Sequence, residues 1–431
     1  MTSTPLRPRL ISGLLLAVAL VFAVPATQAQ DQESERKTKQ TAAMSQKVYE
    51  ELTAVQELVE AKNYTEAAGK LQDLQQRPKL TPYEKAQVWN LTGYSYYLQE
   101  RYEDAIGAYE QVLKQEDLPE ALMLSVLKTK AQLQFTVENY QGALETIQDL
   151  MTKVAEPSAD IYMLLGQAYF QLGDYKKALD PIKTAVDMYQ KQGNTPNENW
   201  LLLLRVCYYE LGDYPNMIKV LEQLIQYYPK DTYLLTMAGA YSELGQTKKQ
   251  LAIVEALYDK GYITSENHIV NLANLFLLHE APVKAARLLE KEIAAGHVKA
   301  DERNLRLLSQ AWYTAREDEK SIPPLEQAAK LAEDGELYIR LAQSYINLQK
   351  WSEAAKAIEQ GLKMGSVNRE DQAEIMLGMA LFNQKKYDLA RKAFEKALPD
   401  KRSRHTAQQW IAYVDSEVKR AELLSKDKSE L

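Results

Sequence analysis

The residue types that most often carry chemistry are few and scattered in this chain. Its four histidines, His268, His279, His297 and His405, fall at no recognisable ligand spacing, and Cys207 is the single cysteine in 431 residues. That leaves little for a zinc site and nothing for an intramolecular disulfide. No glycine-rich phosphate loop, HExxH pair, paired-cysteine motif or GxSxG elbow occurs, so the sequence offers no recognisable catalytic, metal or cofactor site. Carboxylates such as Glu198 and Glu210 recur at helical spacing, the usual pattern of a solvated helix face. Cys207, between Val206 and Tyr208, reads as a small buried hydrophobe; a redox role would need an exposed thiol of low pKa.

With catalysis set aside, the question becomes which elements the sequence builds. It is 46% hydrophobic and 26% charged, with only 17 Gly and 15 Pro, and so has ample apolar material for a core. Leu, Ala, Gln, Glu, Lys and Tyr outnumber β-branched residues, which favours helix on propensity grounds. Acidic residues exceed basic ones, 59 to 52. Duplex nucleic acid is therefore a poor partner, since phosphate binding needs a basic footprint.

Residues 1–29 read as an export signal: Arg7 and Arg9, then the uncharged stretch 10–24, then Pro25-Ala26-Thr27-Gln28-Ala29. An apolar run of about 15 residues falls short of the roughly 20 a spanning helix needs, so cleavage is expected, after Ala29 or Ala26. No membrane span is expected afterwards, and the export signal predicts a periplasmic location. Residues 30–45 are polar and of mixed charge, a flexible leader.

A repeat dominates the rest. LVEAKNYTEAAGKL (58–71), YYLQERYEDAIGAY (96–109), YFQLGDYKKALDPI (169–182), YYELGDYPNMIKVL (208–221), YINLQKWSEAAKAI (345–358) and LFNQKKYDLARKAF (381–394) share one pattern. Each has a polar turn, an aromatic, and a small residue three positions on. Aligning the aromatic gives Tyr64, Tyr102, Tyr140, Tyr175 and Tyr214, then degenerate Thr247, Pro282 and Asp318, then Trp351 and Tyr387, at intervals of 33 to 39 residues. Ala67, Ala105, Ala143, Ala178, Ala285, Ala354 and Ala390 fill the small position. Trp89 with Gly93 and Tyr96, Leu165-Gly166 with Tyr169, and Leu377-Gly378 recur before the turn, and Pro229 closes one unit.

Over about residues 46–400 the chain thus resembles the tetratricopeptide repeat family. The resemblance implies an all-α fold: a right-handed superhelical solenoid of about ten antiparallel helix pairs. Regular repeats one to five are expected over 46–230, degenerate repeats six to eight over 231–331, and repeats nine and ten over 332–400. A capping helix and tail follow at 401–431, with Trp410, Tyr413 and Val414 on one side. The degenerate stretch, with Pro282 and Pro323-Pro324, is either a softer hinge or ordinary repeat drift. Residues 191–199 read as a loop.

In this family the first helix of each pair faces a concave groove, and the resemblance transfers those positions. They are Asn90, Tyr94 and Tyr97 in repeat two, Lys128, Gln132 and Phe135 in repeat three, and Met163, Gln167 and Phe170 in repeat four. Repeat five gives Leu202, Val206 and Tyr209, repeat seven Asn274 and Leu277, repeat nine Gln343 and Ile346, and repeat ten Met379 and Phe382. The expected groove is rich in aromatics and amides, suited to a partner peptide whose backbone pairs with the amides. It lacks the recurrent Lys/Asn set with which chaperone-binding members hold a terminal carboxylate. An exported, Tyr-rich array also looks like the periplasmic repeat proteins that accompany TonB-type energy-transducing complexes. The expected function is a non-enzymatic scaffold in the bacterial envelope, an accessory of a TonB-ExbB-ExbD type system. Outer-membrane, polysaccharide-export or cell-wall assembly is an alternative. So is carbohydrate or peptidoglycan binding, with Tyr94, Tyr97, Phe135, Phe170 and Tyr209 stacked on sugar rings.

Overall fold

The computed structural model describes residues 44–429, with side chains to residue 421. The expected export signal, and the leader up to residue 43, lie outside the described residues. Two bodies are distinguished, divided between Tyr228 and Pro229. All 21 elements are helices, and no strand occurs among the described residues.

The N-terminal body holds five helix pairs: α1 (Gln46–Glu60) with α2 (Tyr64–Gln75), α3 (Pro82–Leu98) with α4 (Tyr102–Leu113), α5 (Glu120–Thr136) with α6 (Tyr140–Lys153), α7 (Ala159–Gln171) with α8 (Tyr175–Lys191), and α9 (Glu198–Glu210) with α10 (Tyr214–Tyr227). The C-terminal body holds five more: α11 (Asp231–Glu243) with α12 (Thr247–Asp259), α13 (Glu266–Leu278) with α14 (Pro282–Ala294), α15 (Glu302–Thr314) with α16 (Asp318–Leu331), α17 (Glu336–Asn347) with α18 (Trp351–Met364), and α19 (Glu370–Asn383) with α20 (Tyr387–Ala397). The capping helix α21 (Arg404–Ser429) follows. The expected loop at 191–199 is shorter than its sequence suggests. Lys191 still belongs to α8 and Glu198 opens α9, while Tyr189 packs edge-on against Trp200 at 5.0 Å across the gap.

One turn design recurs ten times. The first helix ends at a residue in the left-handed region, at positions 62, 100, 138, 173, 212, 245, 280, 316, 349 and 385. Only three of these are glycine. In each turn two backbone bonds close the helix end: Lys62 N–H reaches the Val59 carbonyl and Asn63 N–H the Leu58 carbonyl, and Lys385 and Lys386 do the same at the last pair. This double bond satisfies carbonyls that a helix end otherwise leaves unpaired. The second helix starts two residues after the left-handed position, so all ten residues aligned on the turn aromatic are the first residues of second helices.

Small residues then let the two helices approach. Each of the seven alanines of the repeat is fully buried. A glycine nine residues before the second helix receives a large side chain from it: Tyr109 against Gly93, Ile182 against Gly166, and Phe394 against Gly378. A Cβ on Gly93 would stand 2.9 Å from the Tyr109 ring, and one on Gly378 2.5 Å from that of Phe394. Close packing thus compensates for the cost of glycine inside a helix.

Two chemistries clasp the turns. In five of the seven repeats that keep the turn aromatic, it meets a ring five residues earlier: Tyr97–Tyr102, Phe135–Tyr140, Phe170–Tyr175, Tyr209–Tyr214 and Phe382–Tyr387, with centroids 5.4 to 6.4 Å apart; before Tyr64 and Trp351 that position is Val59 and Ile346. Repeats six to eight have Thr247, Pro282 and Asp318 there, and a lysine two residues on covers a different ring. Lys249 lies 4.9 Å from the centroid of Tyr241, Lys284 5.4 Å from that of Phe276, and Lys320 4.8 Å from that of Trp312. Repeat four carries both contacts, with Lys177 5.8 Å from the centroid of Tyr169 beside the Phe170–Tyr175 pair, so in repeats six to eight the cation–π contact remains where the aromatic pair is lost. Pro282 opens α14, whereas Pro323-Pro324 lie inside α16.

The ends are tied by buried carboxylates. Glu84 accepts bonds from the Ser45 N–H and hydroxyl and completes a capping box with Thr81. Burial alone would raise its pKa, but these bonds outweigh it and hold the carboxyl below its usual value. At the other end α21 buries Ala407 and Val414 completely, and Trp410 stacks on Phe394 at 5.4 Å. Asp371, at the start of α19, receives Arg369 on both oxygens and the Ser403 hydroxyl ahead of α21.

Candidate functional site

A first helix packs against its own second helix and against neighbouring pairs, so it exposes only a narrow stripe. In the C-terminal body these stripes are well defined. Helix α13 exposes Asn267, Asn271, Asn274 and Leu278, all three or four residues apart and therefore on one face. Helix α15 exposes Arg303, Arg306, Gln310 and Tyr313, and α17 exposes Arg340, Gln343 and Asn347. No carboxylate is among the exposed residues of these three helices.

The sequence-predicted residues fall into three groups. Asn90 and Phe135 are buried, each about 8% exposed, and Met163 is buried as well. Tyr97, Phe170, Tyr209 and Phe382, with Phe135, are the first-helix members of the turn clasps described above. Phe382 is further covered by Trp410 at 5.7 Å and Tyr413 at 5.1 Å. Tyr209 alone of the five is largely accessible, at 53%. Tyr94 is half-buried against the core around Val88 and Leu91. The amides make the third group: Gln132 and Gln167 are half-buried, and Asn274 and Gln343 exposed.

The amides share an offset eight residues before the second helix. Gln310 has the same offset from Asp318 and belongs with them, although the sequence register passed over repeat eight. Arg306, at the offset of Asn90 and Lys128, was missed for the same reason; without a turn aromatic, Asp318 gives that register little emphasis. Asn274 donates to the Val270 carbonyl at 2.9 Å and Gln343 to Asn347 Oδ1 at 3.1 Å, which leaves acceptor oxygens for another molecule. In the N-terminal body Lys128 stands 3.9 Å from Asp160 of the next first helix.

A polar cavity of about 360 Å³ opens between α15, α17 and the linker before α17. Arg306, Arg340, Leu331, Ala332 and Leu337 line it, together with Glu302, Glu333, Asp334 and Glu336. Cys207 is far from such a setting: it is fully buried, and desolvation pushes its thiol up to about 12. Among the described residues no group of three His, Cys, Asp or Glu side chains could hold a metal ion, and no helix is long and apolar enough to cross a membrane.

Two protein-family models match, both described as tetratricopeptide repeat. One covers residues 52–120, 128–193 and 339–405, the other 206–231, together more than half of the chain. Both pass over 232–338, where the turn aromatic is lost yet helix pairs persist. No curated protein matches the sequence. Similar solved structures include MamA (18% identity, 41% of this chain and 94% of that one, TM-score 0.34) and the TPR2AB domain of yeast Sti1 in complex with pHSP90 (14%, 63% and 98%, 0.33). Another is the C-terminal part of a TPR repeat-containing protein from Cytophaga hutchinsonii (16%, 65% and 98%, 0.36). With the turn, the small-residue columns and the family matches all in one register, the chain belongs to the tetratricopeptide repeat family.

Proposed function

We propose that this protein is an exported, non-enzymatic scaffold of the bacterial periplasm that holds extended segments of partner proteins on its first-helix surfaces. Protein–protein interaction is the mode that tetratricopeptide repeats supply. The observation that carries the reading is the amide series at one offset: Gln132 and Gln167 in adjacent repeats, then Asn274, Gln310 and Gln343 in three more. Side-chain amides both donate and accept, so a periodic row matches the alternating N–H and C=O groups of an extended chain. The basic n-region, apolar run and small-residue segment of residues 1–29 support export.

The system we assign is a TonB-ExbB-ExbD type energy-transducing complex, because an export-type N-terminus followed by a long Tyr-rich array resembles the accessory proteins of such complexes. Crosslinking in intact cells, followed by capture of the tagged chain from envelopes and mass spectrometry, tests it. Recovery of complex components that is lost on replacing Gln132 and Gln167, or Gln310 and Gln343, by Ala supports the assignment. Reproducible recovery of outer-membrane, polysaccharide-export or cell-wall assembly proteins instead would replace that system and keep the scaffold. Absence of any specific protein partner would overturn the scaffold as well. Sugar stacking is disfavoured by the clasps, since Tyr97, Phe135 and Phe170 are each half-buried or buried against another ring and only Tyr209 of the clasp rings is largely accessible.

A further inference from the structure

We infer that the first-helix surface of repeats seven to nine binds an acidic, extended protein segment. The inference rests on the scaffold reading and names the chemistry of the partner at one place in the array. Its basis is a charge pattern that the fold assembles. Arg303 and Arg306 stand one turn apart on the exposed face of α15, and Arg306 shares a cavity with Arg340 of α17. Arg303 and Arg340 make no ion pair or hydrogen bond with any described residue. Arg306 is paired only with Glu302, through one nitrogen at 3.2 Å. A guanidinium carries five N–H donors, so most of this donor capacity faces solvent.

Of the four carboxylates of the cavity, Glu333 and Asp334 lie on the linker, Glu302 opens α15 and Glu336 opens α17, and three of the four are engaged. Glu302 holds Arg306, Glu336 accepts the Asn368 N–H at 3.1 Å, and Asp334 accepts the Glu336 N–H at 3.0 Å. Glu333 on the linker is the fourth. Along the exposed stripes three arginines stand against one half-exposed carboxylate, Glu302, which pairs with Arg306 and leaves Arg303 and Arg340 as the uncompensated charges. An anionic partner gains there what a basic one would lose, and paired guanidinium–carboxylate contacts are the strong form of such recognition.

The neighbouring groups select a peptide among anions. Asn274, Gln310 and Gln343 come from successive first helices. With packed helices about 8–10 Å apart, and an extended chain rising about 3.3 Å per residue, one amide meets roughly every third residue. Tyr313 and Leu278, both exposed, offer apolar anchors beside them.

The test is fluorescence anisotropy on the purified chain with four labelled probes of equal length: poly-L-glutamate, poly-L-lysine, a Gly-Ser peptide and single-stranded DNA. Poly-L-glutamate is expected to bind best, with an affinity that falls as salt rises. The double variant Arg306→Gln/Arg340→Gln should weaken it by about tenfold or more, on the scale of losing charged contacts. Arg340→Glu should shift preference toward poly-L-lysine. Both variants change exposed side chains, and unaltered helical circular dichroism and melting would confirm that they fold. Equal affinity for the glutamate and lysine probes, or glutamate binding unaffected by the double variant, would overturn the inference; tighter binding of DNA would replace the peptide by a phosphate polymer. None of these negative results touches the envelope capture described above, so the scaffold reading stands or falls separately.

Discussion

The ammonium of Lys320 stands 4.8 Å from the centre of the Trp312 ring, across a turn whose sequence has lost its aromatic. Asp318 occupies the place where regular repeats carry Tyr or Trp, and Lys320, two residues on, covers the ring from the other helix. The same geometry at Tyr241–Lys249 and Phe276–Lys284 makes it a second, self-consistent way to close the helix pair.

Replacing Lys320 by Met should therefore cost about 0.5–1 kcal/mol, the worth of a partly exposed cation–π contact, although the charge is half in solvent. Replacing the buried Trp312 by Ala should cost about 3–5 kcal/mol through the cavity it leaves. Urea unfolding followed by circular dichroism distinguishes the two. Equal melting of Lys320→Met and the parent would remove the clasp from the account.

Gly166 and Gly69 form a matched pair of helix glycines. A Cβ on Gly166 would lie 3.1 Å from the Ile182 backbone nitrogen and 3.3 Å from the Ala178 carbonyl, while one on Gly69 meets nothing within 4 Å. Gly166→Ala should destabilise the chain by about 1–3 kcal/mol through overpacking, and so should Ala178→Leu. Gly69→Ala should stabilise by about 0.5–1 kcal/mol, because only the entropy term remains. Melting temperatures moving the same way in both glycine variants would contradict the packing at Gly166.

Acid should loosen the cap before the rest of its body. The guanidinium of Arg369 holds the Asp371 carboxyl well below its usual range; burial opposes this, and Ser403 and Arg402 add to the lowering. A carboxylate with a lowered folded pKa contributes stability that is complete above the unfolded value of about 3.9 and fades as pH falls through the folded one. Hydrogen exchange of α21 amides, corrected for intrinsic rates, should show protection at pH 6 that declines below about pH 4. Asp371→Asn should show the loss already at pH 6. Protection of α21 in that variant equal to the parent's would mean that Asp371 does not hold the cap.

Cys207 should be inert in the folded chain. Its thiol is fully buried and raised to about 12, so thiolate is scarce at pH 8. A maleimide reagent should label it only in denaturant. Stoichiometric labelling within minutes under native conditions would show that α9 opens far more readily than its packing suggests.

Local pattern alone made much of this protein legible. The interval between turn aromatics, the alanine three residues later and the glycine nine residues before are consequences of helix geometry, in which a residue's face follows from its number. They located all ten second-helix starts, including those at Thr247, Pro282 and Asp318. Function was less legible, because exposure and pairing depend on residues far apart in the chain. Sequence offset placed Phe135 and Phe382 on the binding face, yet it could not say that rings across the turn and on α21 would occupy them. Nor could it bring Arg306 and Arg340 to one cavity, since they lie in different repeats, one without a turn aromatic. The sequence by itself determined which helices pair and how each turn closes, through the fixed angular step of the helix; only the packing of one pair on the next decided which side chains are left for a partner.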